Sequence, residues 1–168
     1  MTWWSPDPRA IFELESFHVP RSLARVIRQS VFRITIDQAF AQVMEGCAMP
    51  GPGRSTTWIT QEFFDAYTTL HNLGHAHSLE CWHGEELAGG IYGVAVGGLF
   101  AGESMFHRRS NASKVSLCYL VEHLKKAGFV LFDIQMLTPI TTQLGGIAIS
   151  RKEYLKRLAK AVERPCSF

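Results

Sequence analysis

Long apolar runs, cysteine pairs and an excess of charge of one sign are all missing from this 168-residue chain. The longest apolar stretch, Leu87 to Ala101, is broken by glycines and falls short of the ~20 residues a membrane-spanning helix needs. The four cysteines (Cys47, Cys81, Cys118, Cys166) are widely spaced with no CxxC pair. That argues against a disulfide frame and predicts reduced thiols in a cytoplasmic protein. The opening MTWWSPDPRA is not the basic-then-apolar pattern of a signal peptide, which agrees. Basic residues number 17 against 15 acidic, and 46% of the chain is hydrophobic, a balance that excludes intrinsic disorder. No internal repeat or low-complexity tract appears. The linker-like MPGPGRSTT (49–57) is too short to divide domains, so residues 1–168 read as a single domain.

What is present is alternation of helical and strand-like segments. His18-Val19-Pro20 leads into a helix over Arg21 to Gln29, with Arg21, Arg25 and Arg28 on one face and Leu23, Val26 and Ile27 opposite. A strand at Phe32 to Ile36 precedes a helix over Gln38 to Cys47. Thr60 caps a helix that runs to Leu73, and Gly74 stops it. Ser78 to Trp82, a turn at His83-Gly84, and Leu87 to Glu103 read as β structure. Asn111 to Ala127 is helical, Phe129 to Leu137 a buried strand, and Arg151 to Glu163 a basic amphipathic helix. The fold class is α+β or α/β, a mixed β-sheet flanked by helices.

Several constellations could carry chemistry. The strand VLFDIQML sets Asp133 and Gln135 on one face of an otherwise apolar run. Burying a carboxylate without partners is costly, so something must solvate Asp133. Two readings stand: a structural hydrogen-bonded pair at a strand end, or a site at the carboxyl end of a central strand. Glu103, between Gly102 and Ser104, ends another apolar strand; facing one cleft, the two acids would suit a cationic or amine-bearing substrate. His71, His75 and His77 (HNLGHAH) invite a metal, yet Gly74 interrupts them and no cysteine or acid pair stands at ligand spacing, so no metal is expected. The six glycines from Gly89 to Gly102 match neither GxGxxG nor a P-loop and read as close backbone approaches. The arginine stripe is either a solvated face or a phosphate track. Trp3, Trp4 and Trp58 are core aromatics or base-stacking platforms.

Taken in order, WWSPDPRA (3–10), FxQVMEGCA (40–48), TWIT (57–60), AYxxLHxLGHAHSLECW (66–82), GGIYGVAVG (89–97), FAGESMF (100–106), NASK (111–114) and FDIQ (132–135) closely resemble the leucyl/phenylalanyl-tRNA–protein transferase family. The resemblance implies a GNAT-like acyltransferase fold without an acetyl-CoA loop, and no cofactor. It implies transfer of Leu, also Phe or Met, from aminoacyl-tRNA to the N-terminal Arg or Lys of acceptor proteins, marking them for degradation. A cytoplasmic monomer that engages no membrane is expected. Residue by residue, Asp133 and Gln135 match the family's catalytic Asp-x-Gln and Glu103 the acid of its GESMF motif, with Gly102 and Ser104 beside it. Trp58 matches a tryptophan stacking on the terminal adenine, and Tyr67 a neighbouring aromatic. Ile91, Met105, Leu117, Leu120 and Leu124 match positions lining the aminoacyl pocket. Arg21, Arg25 and Arg28 match a basic helix that holds the acceptor stem, making residues 1–30 the tRNA-facing segment. The family normally carries an N-terminal subdomain ahead of WWSPDPR, with a GIFPW-like segment, and commonly a histidine at the place of Ile140; a short form without that subdomain is expected here.

The expected chemistry is aminolysis of an aminoacyl ester, in which alignment of the two substrates does most of the work. Asp133 is expected to orient and polarise Gln135, whose carbonyl oxygen accepts a hydrogen bond from the attacking amine. Glu103 and Asp133 are expected to supply negative potential for the cationic acceptor. The alternatives are a related transferase acting on a different amine and a non-catalytic tRNA- or N-degron-binding module. The acid and amide kept on a buried strand argue against the latter.

Overall fold

The computed structural model describes residues 5–50 and 57–168. Trp3, Trp4 and most of the 49–57 loop therefore lie outside the described residues. Seven strands and six α-helices are described: β1 (Arg9–Phe12), α1 (Arg21–Arg28), β2 (Arg33–Ile36), α2 (Phe40–Ala48), α3 (Gln61–Asn72), β3 (Ala76–His83), β4 (Glu86–Val96), β5 (Leu99–His107), α4 (Ala112–Lys126), β6 (Leu131–Gln135), α5 (Pro139–Gln143), β7 (Gly146–Ile149) and α6 (Arg151–Val162). The strands form one mixed sheet in the order β2-β3-β4-β5-β6-β1-β7. The mixed α/β architecture read from the sequence is the observed one. The chain groups into two compact units: residues 1–21, 95–102 and 121–168, and residues 22–94 and 103–120.

In the first unit β1 lies between β6 and β7 and runs antiparallel to both, with Ile11 opposite Asp133 and Phe12 opposite Phe132. The opening residues of β5 pair with β6 in parallel, Ala101 opposite Asp133. α6 begins at Ser150, whose side chain accepts a hydrogen bond from the Glu153 amide at 3.3 Å. The helix packs Tyr154 and Ala161 onto Ile11, Leu99 and Leu131. At the β4–β5 turn, Gly97 has φ +55° and a Cβ there would fall 2.7 Å from the Val162 carbonyl carbon. The next amide, of Gly98, donates to the Ala161 carbonyl oxygen at 2.7 Å. Only glycine meets both demands at that turn.

In the second unit β2, β3 and β4 are antiparallel, and α2 and α3 bury Phe40, Val43, Met44, Cys47 and Ile59 with Tyr92 and Phe106. Two of the run's glycines are the close approaches expected of them. A Cβ at Gly90 would sit 2.9 Å from a Val43 methyl, and one at Gly89 2.8 Å from the Ala112 Cβ. The start of α2 has no cap from its own N-cap side chain. The buried Glu80 of β3 serves instead, accepting from the amides of Gln38 and Ala39 at 3.4 Å each. Its carboxylate also accepts from the Ser78 hydroxyl at 2.5 Å and from the Thr35 hydroxyl. Carboxylate oxygens at a helix N-terminus complement the exposed amides and the helix dipole there.

Most of the expected elements occur within a few residues of their expected bounds. Three short ones were not expected: β1, α5 and β7. The β structure expected over Leu87 to Glu103, as one strand or two, is two strands, the hairpin of β4 and β5. β5 continues to His107, so Glu103 stands mid-strand rather than at a strand end.

Candidate active site

Asp133 is 1% exposed on β6, and four donors meet its carboxylate. The Arg9 guanidinium binds it in bidentate fashion, Nε to Oδ1 at 2.9 Å and Nη2 to Oδ2 at 2.6 Å. The Tyr154 hydroxyl donates to Oδ2 at 2.7 Å. The fourth donor is the backbone amide of Gln135, 2.8 Å from Oδ1. Arg9 also lies over the Tyr154 ring, 5.2 Å from its centroid, so the three side chains close a triangle. Burial, followed by the bond to Asp133 and its negative charge, holds the Tyr154 phenol well above the ordinary tyrosine range.

Gln135 ends β6 with φ +65°, a left-handed backbone unusual for a residue with a side chain. Asp133, two residues back, ties down its amide, and the Met136 amide closes onto the Ile134 carbonyl oxygen at 2.7 Å. The Gln135 side chain donates through Nε2 to the Gly102 carbonyl oxygen at 3.2 Å. Asp133 thus meets Gln135 at its backbone amide. Its charge is matched by Arg9.

In the second unit, Glu103 accepts a hydrogen bond from the Tyr67 hydroxyl. Burial first, and then the negative charge of Glu103 and that bond, push the Tyr67 phenol far up. The Tyr67 ring stacks at 6.3 Å on Phe63 and meets Tyr92 edge-on at 5.4 Å. Trp58 is 45% exposed and set edge-to-face against Phe63, ring centroids 5.3 Å apart, which braces it from one side. Ile91, Leu117 and Leu120 of this unit, and Leu124 of the first, are buried. Gly102, Ser104 and Met105 are half-buried. Arg21, Arg25 and Arg28 are exposed along α1, which buries Leu23. A cavity of about 270 Å³ in the second unit is lined by Glu45, Ala48, Ile59, Thr60, Gln61 and Phe64, none of them a site residue expected from the sequence.

The histidines are engaged locally: His71 Nδ1 lies 2.8 Å from the Ala76 carbonyl oxygen, and His77 Nδ1 lies 2.7 Å from Asp37. His71 also stacks on Phe40 at 4.2 Å. Among the described residues no group of three His, Cys, Asp or Glu side chains could hold a metal ion. All four cysteines are free thiols. Among the described residues no helix is long and apolar enough to cross a membrane.

Residues 11–159 match the family described as leucyl/phenylalanyl-tRNA protein transferase. The chain belongs to that family. A leucyl/phenylalanyl-tRNA–protein transferase of Shewanella baltica is 49% identical over 97% of this chain and 69% of its own length. One from Pseudomonas syringae pv. syringae is 50% identical over 97% of this chain and 71% of its own. Among solved structures, L-PGS from Bacillus licheniformis superposes with TM-score 0.53 at 14% identity, covering 80% of this chain and 48% of that one, a likeness of fold alone. As a family member the chain is an aminoacyltransferase that takes its donor from aminoacyl-tRNA and gives it to a protein. Arg9 and Tyr154 are the site residues that sequence reasoning missed. Arg9 stood in plain view within WWSPDPRA, but no feature of the sequence paired it with Asp133.

Proposed function

We propose that this transferase moves Leu, and with less preference Phe and Met, from tRNA to an N-terminal Arg or Lys, marking the acceptor for degradation. We place it in the cytoplasm, as a monomer; the four free thiols suit a reducing compartment. The observation that carries the reading is the fixed amide of Gln135, held by its backbone to Asp133 and by its side chain to the carbonyl oxygen of Gly102, the residue before Glu103.

The α-amine of the acceptor attacks the ester carbonyl carbon, the peptide bond forms, and the ester C–O bond breaks to free the terminal ribose hydroxyl of the tRNA. A free α-amine has a pKa near ~7.7–8.0, so roughly a tenth is neutral at pH 7 and no strong base is required. Gln135 accepts a hydrogen bond from that amine and orients it. An amide is too weak a base to keep the proton, which passes to water or to the adenosine 2′-hydroxyl. Glu103, held by Tyr67, offers a carboxylate to the cationic acceptor. Trp58 offers one open face to the terminal adenine. Ile91, Met105, Leu117 and Leu120, all of the second unit, form the apolar wall for the aminoacyl side chain. Such a wall separates side chains differing by one methylene by only ~1–3 kcal/mol, hence the tolerance of Met and Phe. Arg21, Arg25 and Arg28 hold the acceptor stem through its phosphates.

The test is transfer of radiolabelled leucine from Leu-tRNA to Arg-started and Ala-started peptides, with Gln135→Ala alongside. The expected result is transfer to the Arg peptide only, reduced in single turnover by the variant. Equal transfer to both peptides would point to a different amine as the natural acceptor. Binding without transfer would point to a non-catalytic module.

A further inference from the structure

We propose that Arg9 and Tyr154 are positioning residues, which act through the Asp133 carboxylate to hold Gln135 in its left-handed turn and so fix where its side-chain amide meets the substrates. The inference rests on the role given to Gln135 above.

The geometry supports a device more specific than a buried ion pair. Asp133 is too buried for water to orient its carboxylate, so its rotation is set by its protein partners alone. Oδ2 is fixed by Arg9 Nη2 and Tyr154 Oη, and this leaves Oδ1 directed at Arg9 Nε and the Gln135 amide. The amide bond from Gln135 to Oδ1 spans two residues, a side-chain-to-backbone turn of the kind aspartate forms readily. It holds a backbone conformation that a residue with a Cβ otherwise avoids. Arg9 and Tyr154 come from β1 and α6, on either side of β6 in the sequence. Neither needs to touch substrate for its loss to shift the Gln135 amide, and small displacements at a reacting centre are costly in rate.

Tyr154→Phe is the informative variant, because it removes one hydroxyl and leaves the Arg9–Asp133 bidentate pair to support folding. With Leu-tRNA and an Arg-started peptide, kcat is expected to fall about ten- to a hundredfold while KM for both substrates changes less than about twofold. Arg9→Lys, which keeps the charge but not the fork, is expected to fall similarly. In a Gln135→Ala background, Tyr154→Phe should have no further effect on kcat. A multiplicative loss in that background, or an unchanged kcat in Tyr154→Phe, would overturn the proposal and leave the triangle a purely structural bond.

A second readout does not depend on turnover. Hydrogen exchange at the Gln135 amide, followed by NMR, should be slow in the unaltered protein and at least about tenfold faster in Tyr154→Phe, with core amides of β3 unchanged. No change at Gln135, or equal acceleration everywhere, would overturn the proposal. If the unaltered chain transfers nothing, the reading of its function fails, and the exchange measurement alone decides whether Gln135 is positioned in this way.

Discussion

Two buried acids on strands of this protein are handled in opposite ways. Asp133, in the first unit, is matched by a guanidinium and a phenol and spends its remaining capacity on a strained backbone amide. Glu80, in the second, is fully buried, and among the described residues it pairs with no cation. Hydroxyls and two amides at the start of α2 solvate it. Both satisfy the rule that a buried carboxylate needs partners, but what lies downstream differs. Glu80 anchors a helix to a sheet. Asp133 anchors a left-handed residue whose side-chain amide reaches the Gly102 carbonyl oxygen. The partners of a buried acid, more than its burial, tell which kind of work it does.

Removing each acid should separate the two roles. Asp133→Ala removes the carboxylate that Arg9 grips in a largely buried setting, which costs about 3–5 kcal/mol in urea unfolding and at least about a hundredfold in single-turnover transfer. Glu80→Gln should cost about 1–3 kcal/mol in the same unfolding experiment, with kcat per folded molecule unchanged. A folded Glu80→Gln protein that cannot transfer would break the contrast.

The residues proposed to bind the donor sharpen it from outside both cores. Changing Arg21, Arg25 and Arg28 together to Ala should reduce the slope of log affinity for tRNA against log salt by about 2–3, with kcat at saturating tRNA preserved. Trp58→Ala should raise KM for aminoacyl-tRNA about tenfold, the loss of one stacking face, and leave the unfolding midpoint in place because the ring is half exposed.

The smallest effect concerns pH. Burial pushes the Cys81 thiol up to about 11, above its ordinary value of 9.0, and so it stays protonated in the folded protein where the unfolded chain would lose the proton. Stability should therefore decline as pH rises from about 9 to 11, and Cys81→Ala should flatten the early part of that decline in denaturant titrations. A variant whose curve matches the unaltered protein would show that another group carries it.

The sequence was most informative where a signal extended over many residues or where a polar group stood in an apolar run. The amphipathic helices α1, α3, α4 and α6 and the acid-amide pair of β6 fall into those classes. What escaped was short or depended on distant partners. β1 and β7 have four residues each, too few for an alternating pattern to stand out. α5 did carry a local signal, Pro139 behind Thr138, whose side chain accepts from the Thr141 amide in a capping box, but it spans only five residues. The Arg9–Asp133 pair joins residues 124 positions apart, and Tyr154 reads in sequence as one more apolar-face aromatic of α6. Nor could spacing tell that Asp133 would grip the Gln135 backbone, since that depends on a positive φ outside the period-two pattern of a strand.

The docked turn between β4 and β5 has a practical side. Hairpin tips are usually the first places chosen for an epitope tag, a fluorophore or an inserted domain. Here Gly97 and Gly98 press against the carbonyl end of α6, the helix that carries Tyr154, so cargo placed there would pry at the Asp133 triangle from a distance. The turn at Gly84, with nothing within 4 Å of where a Cβ would stand, is the better port for labelling this enzyme without altering it.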